Sequence, residues 1–187
     1  MSLAEANPTA LIAHVNSAFT PAELDQIEQY GSSLLLGKAP LAHRPLSDHY
    51  DDLRITKVAD IVRKSQTGWI YDRLAQVVAF LNQNYQFALS GYFENIQYMV
   101  YRDAEGGHFD WHVDQGPTFR RKLSLTVQLT DPAEYENCDL QFDNGGKIVT
   151  APKTRGVVIA FPSHVRHRVT PITRGTRKSL VAWAWER

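Results

Sequence analysis

The spacing of hydrophobic residues changes once along the chain, near Phe87. Before that point the period is helical. Thr20, Pro21 and Glu23 form a Ser/Thr-x-x-Glu capping box with proline at the first helical position. Phe19 and Leu24 occupy the two positions of a hydrophobic staple around it. Leu24, Ile27, Gly31 and Leu34 then follow at helical spacing, which predicts a helix over about 21–36. Ile70, Leu74, Val77, Val78 and Leu81 recur every three or four residues and predict a second amphipathic helix over about 68–85. Between the two, "LRITKVADIV" alternates imperfectly and is a strand candidate.

After Phe87 the period falls to two. "ENIQYMVYR", "HFDWHVD", "KLSLTVQLT", "DLQF", "KIVTA", "GVVIAF", "HRVTPI" and "RKSLVAWAW" have strand character. Turn signals separate them: Glu105-Gly106-Gly107, Gly116-Pro117, Asp131-Pro132, Asn144-Gly145-Gly146, Arg155-Gly156 and Arg174-Gly175. Many short strands at regular spacing imply an antiparallel barrel or jelly roll. The expected fold is mainly β (α+β), a double-stranded β-helix or jelly-roll barrel buttressed by N-terminal helices. One domain is expected over 1–187, with about 1–90 as helical support and about 91–187 as the core.

Composition narrows the function classes. The 187 residues suffice for one domain with a real core. Lys plus Arg number 20 and Asp plus Glu number 20, so no net field draws nucleic acid or an anionic membrane. The basic run Arg120, Arg121 and Lys122 reads as a solvated strand start. Cys138 has no second cysteine to pair with, which fits a reducing compartment. Neither a signal peptide nor an apolar run of spanning length is evident, so a cytoplasmic protein is expected. The pattern does not specify an oligomeric state.

The chemistry gathers in "HFDWHVD", where His108, Asp110, His112 and Asp114 alternate and so share one face of a strand. Two imidazoles and one carboxylate on one face of an iron leave three coordination positions open, the facial triad of non-haem Fe(II) oxygenases. His-x-Asp on a strand supplies two ligands; the third must come from a distant strand. His164 and His167, in "FPSHVRHRVTPITRGTRKSLVAWAW", are the candidates. His14, His43 and His49 lack partners at ligand spacing and read as surface or hydrogen-bonded histidines. Ser124, Thr126 and Gln128 form the wet side of a strand whose dry side is Leu123, Leu125, Val127 and Leu129. In a ligand-holding barrel that row lines the cavity. Tyr101 and Gln97 share a face of the preceding strand, and Trp183 shares one with Arg177 and Ser179.

Together, "WHVD", "RKLSLTVQLTDPAEY" and the His164–Trp185 segment resemble the Fe(II)/2-oxoglutarate-dependent oxygenases, in particular the bacterial prolyl 4-hydroxylase-like branch. The resemblance covers roughly Gln97 onwards, and more weakly "FTPAELDQIEQYG". It departs at "ENCDLQF", where many relatives carry Gly-Gly-Glu-Leu. What the resemblance implies is iron held by His112, Asp114 and His167. Arg174 and Arg177 stand ten residues after His164 and His167 respectively. Arg174-Gly175 reads as a hairpin turn, whereas Arg177 begins a strand and shares a face with Ser179. The resemblance therefore implies Arg177 as anchor of the far carboxylate of 2-oxoglutarate, helped by Ser179, with Tyr101 near the cosubstrate and Gln128 in the same row. The implied reaction uses Fe(II), 2-oxoglutarate and O2, with ascorbate as a reductant. It hydroxylates a C–H bond of a peptidyl residue such as proline, or of a small metabolite, and releases succinate and CO2. A jelly-roll module that binds a metal or small molecule without turnover is the competing expectation, and a zinc hydrolase on the same ligands a third.

Overall fold

The computed structural model describes residues 11–38, 53–91, 94–116 and 120–186. His43 and His49 lie outside them. Two antiparallel sheets face each other, and two helices cover the outer face of the larger one.

The first helix, α1 (Pro21–Ser32), starts where its sequence says it should. Thr20 Oγ1 accepts from the Glu23 amide at 3.2 Å, and Glu23 Oε2 accepts from the Thr20 amide at 2.7 Å. Glu23 also pairs with Arg73 of α2 (Gly68–Leu81) at 2.8 Å, tying the two helices together. Both helices end earlier than the hydrophobic spacing predicts. Past Ser32 the turn has nothing to bury Leu35 against, and Leu35 is exposed. Past Leu81 the Asn82 amide bonds both backbone groups of Phe87, a local alternative to the helical ladder.

The large sheet runs in the order β1 (Ala13–Val15), β12 (Val158–Pro162), β8 (Arg121–Gln128), β14 (Ile172–Glu186), β6 (Ile96–Arg102), β4 (Lys57–Ile61) and β2 (Gly37–Lys38). Two short strands, β5 (Leu89–Gly91) and β9 (Tyr135–Asn137), also pair with β14. The small sheet runs β11 (Lys147–Thr150), β10 (Leu140–Asn144), β13 (His167–Val169), β7 (His108–His112) and β3 (Arg54–Ile55). The first ninety residues thus give strands to both sheets as well as helices, and "LRITKVADIV" is a strand pair broken at Thr56.

The fold is mainly β and jelly-roll-like as expected, and among the described residues the sheets do not close into a barrel. Two expectations are corrected. Arg174-Gly175 is not a hairpin turn, because β14 runs through it for fifteen residues. Gly175 adopts φ +79° beside β9, and a Cβ there would strike the Glu134 carbonyl, so the glycine serves a close strand approach. Finally, β7 does not keep strict alternation, as the site shows.

Candidate metal centre

The site begins with a bulge. His167 pairs with His112, and Val169 pairs with Phe109, so β7 spends one residue more than β13 over the same length. The extra residue rotates the strand, which places Phe109 on the same side as His112 instead of opposite it. Their rings stack at 3.5 Å with a 12° interplanar angle. The expected face of His108, Asp110, His112 and Asp114 is therefore split. Asp110 is exposed and accepts from the Trp111 amide at 2.7 Å, while His108 Nδ1 sits 2.8 Å from the Gly106 carbonyl. His164 lies exposed in the turn before β13.

The fold brings His112, Asp114 and His167 together, each offering a ligand atom within 4.8 Å of the others. Among the described residues no other trio of metal-capable side chains converges so. His112 Nε2 is 3.8 Å from Asp114 Oδ1, and His167 Nε2 is 3.7 Å from Asp114 Oδ2. Each imidazole is oriented by the backbone carbonyl two residues before it. His112 Nδ1 donates to the Asp110 carbonyl at 2.7 Å and His167 Nδ1 to the Val165 carbonyl at 2.9 Å. With the proton at Nδ1, both Nε2 lone pairs face the carboxylate, the arrangement a metal-ligating histidine uses.

Asp114 is held from two sides. Its amide and that of Gln115 both donate to the Ser163 carbonyl at 3.0 Å, and Ser124 Oγ donates to Oδ2 at 2.7 Å. Ser163 Oγ stands 2.9 Å from Ser124 Oγ and steadies that hydroxyl. Burial alone raises the Asp114 pKa, but His167, His112, Ser124 and the Trp183 indole outweigh it and leave the carboxyl below its ordinary value. Burial, then the neighbouring His167, lowers His112 to about 3, against the pull of Asp114. An ionised carboxylate beside a neutral, oriented imidazole is a donor set that fits a divalent cation.

A cavity of about 680 Å³ opens on these residues, a size that suits a small ligand. Gln97, Tyr101, Thr126 and Trp183 are on its wall, and so are Phe109 and Arg54, which the sequence reading did not single out. Arg177 is not itself on the wall and is buried, 1% exposed. Its Nε and Nη2 both donate to Gln128 Oε1, at 3.1 and 2.8 Å, and its Cζ lies 5.5 Å from the Tyr101 ring centre. Nη1 has no partner among the described residues. Ser179 is buried one alternate position on, opposite Gln128 in register. Arg177 is thus a desolvated cation whose Nη1 N–H groups are uncommitted, a feature that suits capture of a carboxylate. At the mouth, Arg121 grips Glu94, covers the Trp183 ring at 3.8 Å and donates to the Asp114 carbonyl at 3.4 Å. That brace had no signal in the sequence beyond three basic residues in a row.

Residues 96–185 match the family model of the 2OG-Fe(II) oxygenase superfamily. A PKHD-type hydroxylase of Cupriavidus metallidurans is 36% identical over 117 residues, 57% of this chain and 51% of that protein. One from Gloeothece citriformis is 27% identical over 182 residues, 92% of this chain and 77% of that protein. The chain spans about half the length of the first curated relatives it matches. Among solved structures, a Pseudomonas putida prolyl-4-hydroxylase superposes with a TM-score of 0.73 at 19% identity, covering 96% of this chain and 94% of that one. A Trichoplax adhaerens prolyl hydroxylase in complex with a hypoxia inducible factor peptide gives a TM-score of 0.75 at 16% identity, covering 95% and 84%. No helix among the described residues is long and apolar enough to cross a membrane. The family match and the curated relatives agree in likening residues 96–185 to a 2OG-Fe(II) oxygenase domain, and the fold resembles that of the prolyl hydroxylases of known structure.

Proposed function

We propose that this protein is a 2-oxoglutarate-dependent hydroxylase in which His112, Asp114 and His167 hold Fe(II). The observation that carries the proposal is the convergence of those three side chains, from β7, the loop after it and β13, with both Nε2 atoms turned toward one carboxylate. Iron bound there supplies the redox chemistry that couples decarboxylation of 2-oxoglutarate to oxidation of a C–H bond by O2, giving succinate, CO2 and an alcohol.

The chain's own residues position and shield. Arg177 pairs with the far carboxylate of 2-oxoglutarate through its uncommitted Nη1 N–H groups, so its contribution is orientation and charge neutralisation. Gln128 holds the guanidinium fork flat, and Ser179 offers a hydroxyl from the same row. Tyr101 lies between this cation and the cavity, where its hydroxyl meets the cosubstrate. Ser124 fixes which carboxylate oxygen of Asp114 is free. Phe109, Phe161 and Trp183 exclude bulk water from the reacting atoms. The substrate is a peptidyl residue or a small metabolite; the peptide bound by the Trichoplax neighbour favours the former.

The test is direct. Under nitrogen, Fe(II) and 2-oxoglutarate added together should give the weak visible charge-transfer band of the chelate. In air with ascorbate as reductant, the same mixture should release succinate. A protein that binds iron yet shows neither band nor succinate is a binding module, and the hydroxylase reading fails.

A further inference from the structure

Besides Arg121, which is paired with Glu94, a second guanidinium lines the cavity, and nothing in the proposed mechanism employs it. Arg54 lies on β3, at the edge of the small sheet, in register with Phe109. It is buried, 7% exposed, yet it is on the wall of the cavity that holds His112, Asp114 and His167. Its Cζ stands 4.4 Å from the centre of the Phe109 ring, and Nη2 donates to Met99 Sδ at 3.6 Å. Phe109 in turn stacks on His112, so one aromatic ring separates this charge from the metal centre.

The two buried arginines are not redundant. Arg177 has two of its nitrogens committed to Gln128 and is not itself a wall residue. Arg54 is a wall residue, among surfaces that are aromatic and aliphatic: Leu53, Met99, Tyr101 and Phe109. Arg54 has further contacts besides those named. A guanidinium carries five donors in a planar fork, however, and can keep a structural partner while it takes a ligand. Apolar walls around a fixed cation favour a small anion that brings its own charge out of water to a matched site, and planar carboxylates match the fork best.

We propose that Arg54 anchors a carboxylate of the primary substrate, so that the oxidised C–H bond belongs to an acid: a free amino or other organic acid, or an acidic side chain of a peptide. The proposal rests on the hydroxylase reading above and adds the substrate class to it. The carboxylate is held at the Phe109 end of the cavity, and the oxidised carbon lies between that end and the three proposed ligands.

Phenylacetate, with a carboxylate on an aromatic body, is the probe; phenylacetamide has the same shape without the charge. Wild type, R54K and R54Q, each loaded with Fe(II) and 2-oxoglutarate under nitrogen, are titrated with both by calorimetry. The expected result is wild-type binding of the acid about 30-fold or more tighter than the amide. That preference is kept in part by R54K and lost in R54Q, while the visible band saturates at the same 2-oxoglutarate concentration in all three. The retained band also shows that the variants fold. Equal binding of acid and amide by the wild type, or an undiminished preference in R54Q, overturns the proposal. So does a raised 2-oxoglutarate requirement in R54Q, which would assign the charge to the cosubstrate. Absence of the band in the wild type removes the hydroxylase reading instead. Displacement of phenylacetate by a free amino acid, or by a blocked peptide carrying a glutamate side chain, then identifies the source of the carboxylate.

Discussion

The two faces of the large sheet are built from the same strands and do opposite things. On β8, Leu123, Leu125 and Val127 point at the helices, and each is at most 1% exposed. The alternate residues Ser124, Thr126 and Gln128 are also buried, at most 6% exposed, but point at the small sheet. β14 repeats the division, with Leu180, Ala182 and Ala184 toward the helices and Arg177, Ser179 and Trp183 away from them. The helix side is aliphatic and makes no polar demands, so it supplies stability in proportion to the area it removes from water. The other side buries a guanidinium, an amide and hydroxyls, which cost free energy unless partnered. Ser124 is partnered by Asp114 and Gln128 by Arg177, while the guanidinium keeps Nη1 without a partner among the described residues. A period of two lets one strand carry a stabilising surface and a chemical one without compromise.

The division predicts separable losses. Replacing His167 with Ala should remove iron binding and succinate release well beyond the roughly 100-fold cost of losing a supporting partner, with the unfolding midpoint almost unmoved. Iron titration and urea melts of the same sample check it. Leu125→Ala should do the reverse, costing about 2–5 kcal/mol of stability while the folded fraction keeps its iron affinity. If Leu125→Ala instead weakened iron binding in folded protein, the two faces would not be independent. Arg177→Gln should raise the 2-oxoglutarate requirement by at least about 30-fold, with iron affinity unchanged. A milder test is Ser124→Ala, which frees Asp114 from one side and should weaken iron binding by about 10-fold.

Acid provides the most continuous probe. His112 is lowered to about 3 in the fold from an ordinary 6.5, so below the ordinary value the unfolded chain takes up a proton that the folded one refuses. Stability of the metal-free protein therefore falls as pH drops from about 6.5 toward 3, by at most about 1.4 kcal/mol per unit from this group. Asp114, whose pKa is also depressed, acts in the same direction below its own ordinary value. Urea melts at pH 7 and pH 5, with His112→Gln as the control that flattens the slope, measure it.

What could be read beforehand follows from how local each signal is. The capping box at Thr20 and Glu23 is four consecutive residues, and it stands as written. The alternation on β8 is legible because one of its faces must be buried. The resemblance carried by "WHVD" and the His164–Trp185 segment pointed to the three side chains that meet at the site, whereas spacing alone left His108, Asp110 and His164 in competition, and the orientation of the three depends on a bulge that no residue of β7 announces. Gly175 was open to misreading since a positive φ serves a turn or a close strand approach equally, and the neighbour that decides, the Glu134 carbonyl, is forty-one positions away. Arg54 carries no motif, and only the pairing of β3 with β7 brings it to the cavity.

β14 lies between β8 and β6, which do not touch each other in the sheet, and it follows both in the chain by more than forty residues. A nascent polypeptide emerging from the ribosome must therefore hold a gap in its main sheet until this segment arrives to fill it. Closure at such sequence separation is slow, and it leaves two strand edges unsatisfied in the meantime. The same segment delivers Arg177, so competence for the cosubstrate should be acquired in the closing step of assembly, with no partly built intermediate able to consume it.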